Sequence, residues 1–300
     1  MSLITLGALT AGGLLLCSEY EKKQLKVRRY EISHRKIPES FDGVRLVMLA
    51  DLHARSFGEK NNRLYEEIRA LAPDYILTAG DMILKTQPFD TEETARFLGK
   101  LAGLCPVYCG NGNHELKLRQ IKAGRRTAYD WYTDSLRKKG VRVLSDETAV
   151  LERAGGRIDV TGLDLGLAYY GKGFHVPMRP DYLVRKLGEP AEGRFHILLG
   201  HYPNYFPEYA AWGADLILAG HMHGGTVRLP SLGGLMSPNY EFFPAYDRGL
   251  YRQGRSAMVV SGGLGTHSIN VRVGGNYPEI SLICLRRKGQ ARQEKHGNQG

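Results

Sequence analysis

Cysteine is scarce in this chain of 300 residues: Cys17, Cys105, Cys109 and Cys284 are the only four, and none forms a CxxC pair. That leaves no basis for a disulfide framework or a thiolate-bound zinc site. Acidity is also short, with 31 Asp and Glu against 41 Lys and Arg, a formal charge of +10. The excess is clustered at Lys22, Lys23, Lys26, Arg28 and Arg29, at Arg125 and Arg126, and at Arg286, Arg287 and Lys288. Such clusters suit a membrane surface or an anionic, phosphate-bearing substrate. Internal repeats are missing. The longest uncharged stretch, Met1 to Ser18, is diluted by Gly7, Gly12 and Gly13 and sits at the lower edge of the length needed to span a bilayer. It has no basic n-region before it and no small-x-small site after it, so a membrane anchor is expected in preference to a cleaved signal. The basic residues that follow place the remainder on the cytoplasmic side by the positive-inside rule.

A hydrophobic content of 42% supports a substantial core. Short apolar runs at Phe41 to Ala50, Asp74 to Ala79, Cys105 to Cys109, Phe195 to Leu199 and Ala214 to Ala219 read as strands. Amphipathic helices are predicted at Asn61 to Leu71 and Thr91 to Ala102, so strand and helix alternate as in βαβ units. Leu25 to Ile32 alternates like an edge strand. Val141 to Leu144, Ala149 to Leu151 and Ile158 to Thr161 are expected in a second sheet. A helix is expected near Trp131 to Lys139, and Leu165 to Pro180, rich in Gly and Tyr, is expected as a loop over a site.

Each of the five strands ends in residues able to bind a metal. The first delivers Asp51 and His53, the second Asp81, the third Asn113 and His114, the fourth His201, and the fifth His221 and His223. Ligand sites in α/β sheets form outside the carboxyl ends of strands, so the placement itself points to chemistry. Carboxylates, an amide oxygen and imidazoles make a mixed shell that suits Mn, Fe or Zn better than Ca or Mg. Seven candidate ligands, with His114 an eighth, are too many for one tetrahedral ion. They suit two divalent ions sharing a carboxylate, a pair that acidifies a bridging water into the nucleophile for in-line phosphoryl displacement.

Asp51-x-His53, Gly80-Asp81, Gly112-Asn113-His114-Glu115, His201 and Gly220-His221-x-His223, in that order, resemble the signature blocks of the calcineurin-like metallophosphoesterase superfamily. His223-Gly224-Gly225 with Arg228-Leu229-Pro230, Gly249-Leu250-Tyr251 and Ser261 to Gly265 resembles its bacterial membrane-associated phosphodiesterase branch. The resemblance implies a four-layer α/β/β/α sandwich of two mixed sheets with flanking helices. It implies Asp51, His53 and His223 on one metal, Asn113, His201 and His221 on the other, and Asp81 shared. His114 would then be catalytic at the phosphate and not a ligand, with Glu115 a neighbour able to orient it. Leu84 stands where the family often has a second Asp, so the resemblance carries nothing about the support of His114 or metal preference.

The expectation is therefore an apolar N-terminal segment at 1–24, a metallophosphoesterase domain at 25–286 and a basic disordered tail at 287–300. Its activity would be cleavage of a phosphodiester or pyrophosphate, with a membrane-derived substrate expected from the contact of residues 1–18 with the bilayer. A nuclease is one alternative, prompted by Tyr129, Trp131 and Tyr132 among basic residues as a stacking platform. A non-catalytic scaffold is another, although no ligand or catalytic histidine is lost.

Overall fold

The computed structural model describes residues 3–84, 91–225, 227–229, 231–266 and 270–289. Two six-stranded sheets form its centre. The first runs Lys26–His34, Glu279–Arg287, Arg45–Leu49, Tyr75–Ala79, Val107–Gly110 and Arg142–Val143. The second runs Gly249–Gln253, Ser256–Val260, Leu216–Ala219, Phe195–Leu199, Gly156–Gly162 and Thr148–Arg153. Both are mixed. Glu279–Arg287 is antiparallel to Arg45–Leu49 in the first, and the two outermost pairs are antiparallel in the second.

The central strands are buried on both faces, which is why they read as unbroken apolar runs and not as alternation. Leu46, Met48 and Leu77 of the first sheet meet Val160, Ile197, Leu216 and Val259 of the second. On the far side of the first sheet, Val47, Leu49 and Ile76 pack on Leu64, Ile68, Leu98, Leu101 and Leu136 from three helices. On the far side of the second, Leu198, Ile217 and Met258 pack on Leu183, Phe206, Tyr209 and Trp212. The layers are thus helix, sheet, sheet, helix, as the resemblance implied. Truncating one such buried leucine, Leu98→Ala for example, costs about 3 kcal/mol.

Two local differences have clear causes. Arg142–Val143 joins the first sheet and not the second, pairing parallel with Tyr108 and Cys109. The helix before it, Ala128–Lys138, makes a crossover that returns the chain to the edge of the same sheet. That helix also starts three residues earlier than expected. Thr127 caps it, with Asp130 N–H donating to Thr127 Oγ1 at 3.2 Å and Thr127 N–H donating to Asp130 Oδ2 at 2.8 Å.

The N-terminal segment is the helix Leu3–Lys23, and among the described residues no helix is long and apolar enough to cross a membrane. Its glycines and its closing Glu19, Glu21, Lys22 and Lys23 work against a span. Ser18, Glu21 and Lys22 are buried against the rest of the chain, while Leu14, Leu15, Leu16 and Tyr20 are exposed. Of the expected basic tail, Arg287 ends the last strand and residues 290–300 lie outside the described residues.

Candidate metal centre

Three of the five strand ends turn sharply at their polar residues. Asp51, His53, Asp81, His221 and His223 all have positive φ, from 49° to 68°. Side chains other than glycine rarely take this backbone region, at a cost of about 1 kcal/mol or more each, and such strain gathers at functional sites. Small residues make room for the turns. A Cβ at Gly112 would collide with the Asp81 carboxylate, and one at Gly220 with that of Asp51. Backbone bonds lock neighbouring loops together, from Asp51 N–H to Gly80 O at 3.0 Å and from His53 N–H to Asp81 O at 3.1 Å.

The side chains converge as acceptors. A carbonyl can only accept, so His201 Nδ1 must donate to Ala79 O at 2.6 Å, which turns the lone pair of Nε2 inward. That Nε2 is buried without a hydrogen bond, 3.2 Å from Asp81 Oδ2 and 3.9 Å from Asp51 Oδ1. His223 Nδ1 likewise points to Gly265 O at 3.2 Å, leaving Nε2 3.1 Å from His53 Nε2 and 3.6 Å from Asp51 Oδ1. His221 Nε2 lies 3.3 Å from Asn239 Oδ1, which leaves Nδ1 facing Asn113. The amide oxygen of Asn113 faces Asp81 Oδ2 and His221 Nδ1, and only a swapped amide would donate to them, at 3.3 and 3.1 Å. Acceptors aimed at acceptors in a buried space need a cation between them, and an imidazole that donates outward while offering its other nitrogen inward is the usual second support of a metal ligand. Asp51, His53 and His223 offer one set of ligand atoms within 4.8 Å of one another, and Asp81, His201 and His221 offer another. The donor set therefore fits two cations.

His114 stands beside both carboxylate loops. Its Nε2 is 4.0 Å from Asp81 Oδ2, its ring centroid is 4.9 Å from that of His53, and its backbone N–H donates to Asp81 Oδ1 at 2.8 Å. His53, Asp81 and His114 also bring ligand atoms within 4.8 Å of one another, so geometry leaves His114 near enough to ligate. Glu115 fastens the loops themselves. Its carboxylate accepts from Gly112 N–H at 2.9 Å, Asp81 N–H at 2.9 Å and Met82 N–H at 2.8 Å.

The charges divide unevenly. Burial pushes Asp51 up to about 7, with the Asp81 charge adding to it against the pull of His201. Burial acts the same way on Asp81, but His201 and His114 outweigh it and hold that carboxyl well below the usual range. Against its own burial, the carboxylates of Asp81 and Asp51 hold the His201 imidazole up at about 9. Burial and the Asp81 charge push Glu115 up to about 7. Without a cation, this cluster retains protons that a metal would displace.

All eight residues named at strand ends come together here. Sequence spacing did not reveal the outer ring. Arg272 is buried, and its guanidinium donates to the carbonyls of Gly262 at 2.9 Å, Gly263 at 3.0 Å and Asn276 at 3.2 Å, and to that of Gly265. Asn276 Nδ2 donates to His223 O at 2.9 Å. From the first helix, Glu21 accepts from the backbone N–H groups of Gly275 and Asn276 at 2.8 and 2.9 Å, and Ser18 Oγ from that of Arg272 at 3.0 Å. The consecutive Gly274, Gly275 and Asn276 are the one turn signal that could have marked this loop. The proposed stacking platform is not assembled. Tyr129 and Tyr132 are buried in the core, and Trp131 alone is exposed, beneath Arg126 at 4.9 Å.

A family model described as calcineurin-like phosphoesterase matches residues 44–225. An uncharacterized metallophosphoesterase of Bacillus subtilis, YkuE, is 28% identical over 93% of this chain and 92% of its own length. A transmembrane protein with metallophosphoesterase domain from Danio rerio is 30% identical over 87% of this chain, which spans 57% of that longer protein. The phosphodiesterase YaeI of Escherichia coli is 25% identical over 80% of this chain and 82% of its own length.

Proposed function

The chain belongs to the calcineurin-like phosphoesterase family, and from that premise we propose that it is a two-metal phosphodiesterase. One observation carries the reading: buried carboxylates and imidazoles converge in two adjoining sets, each with its ligand atoms within 4.8 Å of one another. Asp51, His53 and His223 would hold one ion and Asn113, His201 and His221 the other, with Asp81 available to both. When bound, the ions supply Lewis acidity and a nucleophile from water at neutral pH. Ala79 O, Gly265 O and Asn239 fix the imidazole orientations from outside. Glu115 holds the Asp81 and Asn113 loops in register. His114 Nε2 delivers a proton to the departing oxygen, its position kept by the backbone bond to Asp81.

A diester carries two substituents on phosphorus, and an open cleft beside His221 gives room for one of them. The similarity to the phosphodiesterase YaeI supports the same class. Leu14, Leu15 and Leu16, 51% to 75% exposed on the first helix, with Lys23, Lys26 and Arg29 beyond, fit contact of that end of the helix with an anionic bilayer, the catalytic domain on the cytoplasmic face. Flotation with anionic vesicles tests that placement, and Leu15→Asp with Leu16→Asp should abolish it.

The activity is tested by supplying metal-stripped protein with Mn, Fe, Zn or Ni. Bis(p-nitrophenyl) phosphate is compared with p-nitrophenyl phosphate, and Asp81→Asn is the control. Metal-dependent turnover of the diester ahead of the monoester supports the reading. Monoester preference, or turnover that survives Asp81→Asn, would overturn it.

A further inference from the structure

Beside the centre, a cleft of about 380 Å³ opens between the loops 171–175 and 239–246. Its inner wall touches the candidate ligand His221. The Tyr202 ring centroid is 4.7 Å from the His221 ring, and Asn239 Oδ1 is 3.3 Å from its outer nitrogen. Tyr202 and Asn239 are tied to each other by Asn239 Nδ2 donating to the Tyr202 hydroxyl at 3.0 Å.

The lining has two chemistries. Phe174, His175, Tyr240 and Tyr246 give it ring faces, and Phe174 and Tyr240 are 66% and 56% exposed. Lys172 sits 4.9 Å over the Tyr240 ring, so that face already attracts a cation. The polar part includes two acceptors with spare capacity, Asn204 Oδ1 and the Glu241 carboxylate. Asn204 spends its amide N–H groups on the Tyr202 hydroxyl at 3.1 Å and on Glu241 Oε2 at 3.0 Å. Its own oxygen is buried and makes no hydrogen bond. The Glu241 carboxylate receives that bond on Oε2.

We propose that this cleft holds one of the two groups esterified to the phosphate, and that this group is a ring whose edge carries N–H or O–H donors, as in a nucleobase or a sugar. The proposal rests on the phosphoesterase reading of the neighbouring centre. A flat ring stacks on the aromatic walls while its edge supplies what Asn204 Oδ1 and Glu241 lack. An alkyl chain would cover the Glu241 carboxylate and offer it no donor, and a second anionic group would meet its charge.

Binding is measured first, on the full metal-stripped chain, by saturation-transfer NMR and calorimetry with adenosine, methyl glucoside and 1-hexanol. Adenosine or methyl glucoside should bind, identifying base or sugar as the source, and Glu241→Gln and Asn204→Ala should each weaken it about tenfold, with unchanged melting temperature certifying the fold. Binding of 1-hexanol alone, or ring binding indifferent to both substitutions, would overturn the proposal. The kinetic arm uses metal-loaded protein. The ratio of kcat/KM for thymidine 5′-(p-nitrophenyl) phosphate, or for a glucose 6-(p-nitrophenyl) phosphate, over that for ethyl p-nitrophenyl phosphate should fall about tenfold in Glu241→Gln, and an unchanged ratio would overturn the proposal. If no phosphodiester is turned over, the phosphoesterase reading fails while the binding measurements still judge the cleft.

Discussion

The half of the centre made by Asp81, Asn113, His201 and His221 is supported largely by strand ends next to it: Ala79 O holds His201, and Glu115 ties the Asp81 loop to the Asn113 loop. The half made by Asp51, His53 and His223 depends on segments far along the chain. His223 leans on Gly265 O and Asn276, Gly265 is gripped by Arg272, and the loop carrying Arg272 and Asn276 is clamped by Ser18 and Glu21 of the first helix. One half is thus local to the parallel strands and the other is a tertiary assembly that includes the N-terminal helix. A disturbance of that helix should therefore reach one ion and spare the other.

The largest test removes the carboxylate that joins the halves. Asp81→Asn should empty both positions, and diester hydrolysis should fall by more than about 100-fold, beyond what loss of an outer support causes. Metal content by plasma mass spectrometry reads it, and retention of both ions would show that the halves stand apart. His114→Ala belongs to neither half: it should keep both ions and lose turnover by roughly 10² to 10⁴. Loss of an ion would make His114 a ligand.

Glu21→Ala sharpens the comparison. Competitive titration with a chromophoric chelator should show one ion bound about tenfold more weakly and the other unchanged, the size expected of an outer support. Equal weakening of both would mean that the two halves respond as one.

The smallest effect is on pH dependence. His201, usually near 6.5, sits at about 9 in the folded chain, so it stabilises the metal-free protein fully below pH 6.5 and loses that contribution as pH rises through 9. Asp51 acts in the same direction lower down. Between its ordinary 3.8 and about 7 the folded chain keeps a proton the unfolded chain has released, so stability falls with rising pH there too. Bound metal replaces those protons, so the rise in melting temperature on adding Mn should grow from pH 6.5 to 9. A rise that shrinks over that window would contradict the assigned proton sites.

Much of this was legible in one dimension. Apolar runs of about five residues, each ending in Asp, Asn or His, record strands buried on both faces whose ends must turn, and Asp51, His53, Asp81, Asn113, His114, His201, His221 and His223 do meet in space. Periodicity also gave the helices at Thr91–Ala102 and Asn62–Ala70. It misplaced Arg142–Val143, because a two-residue strand carries no sign of which sheet it joins, and it read Met1 to Ser18 by hydropathy alone, which is blind to the clamp made by Ser18 and Glu21.

By itself, then, the sequence determined the alternation of layers and the identity of the inner residues, since burial and strand ends leave a pattern in consecutive positions. Only the tertiary structure decided the rest: which nitrogen of each histidine faces inward, the grip of Arg272 on three glycine carbonyls, the attachment of the first helix to the loop that carries Arg272 and Asn276, and the union of Asn204 and Glu241 in one cleft. Apart from the Arg272 grip, which spans 7 to 10 positions, those depend on contacts between residues 18 to 255 positions apart, and chain closure over such distances leaves no periodic mark.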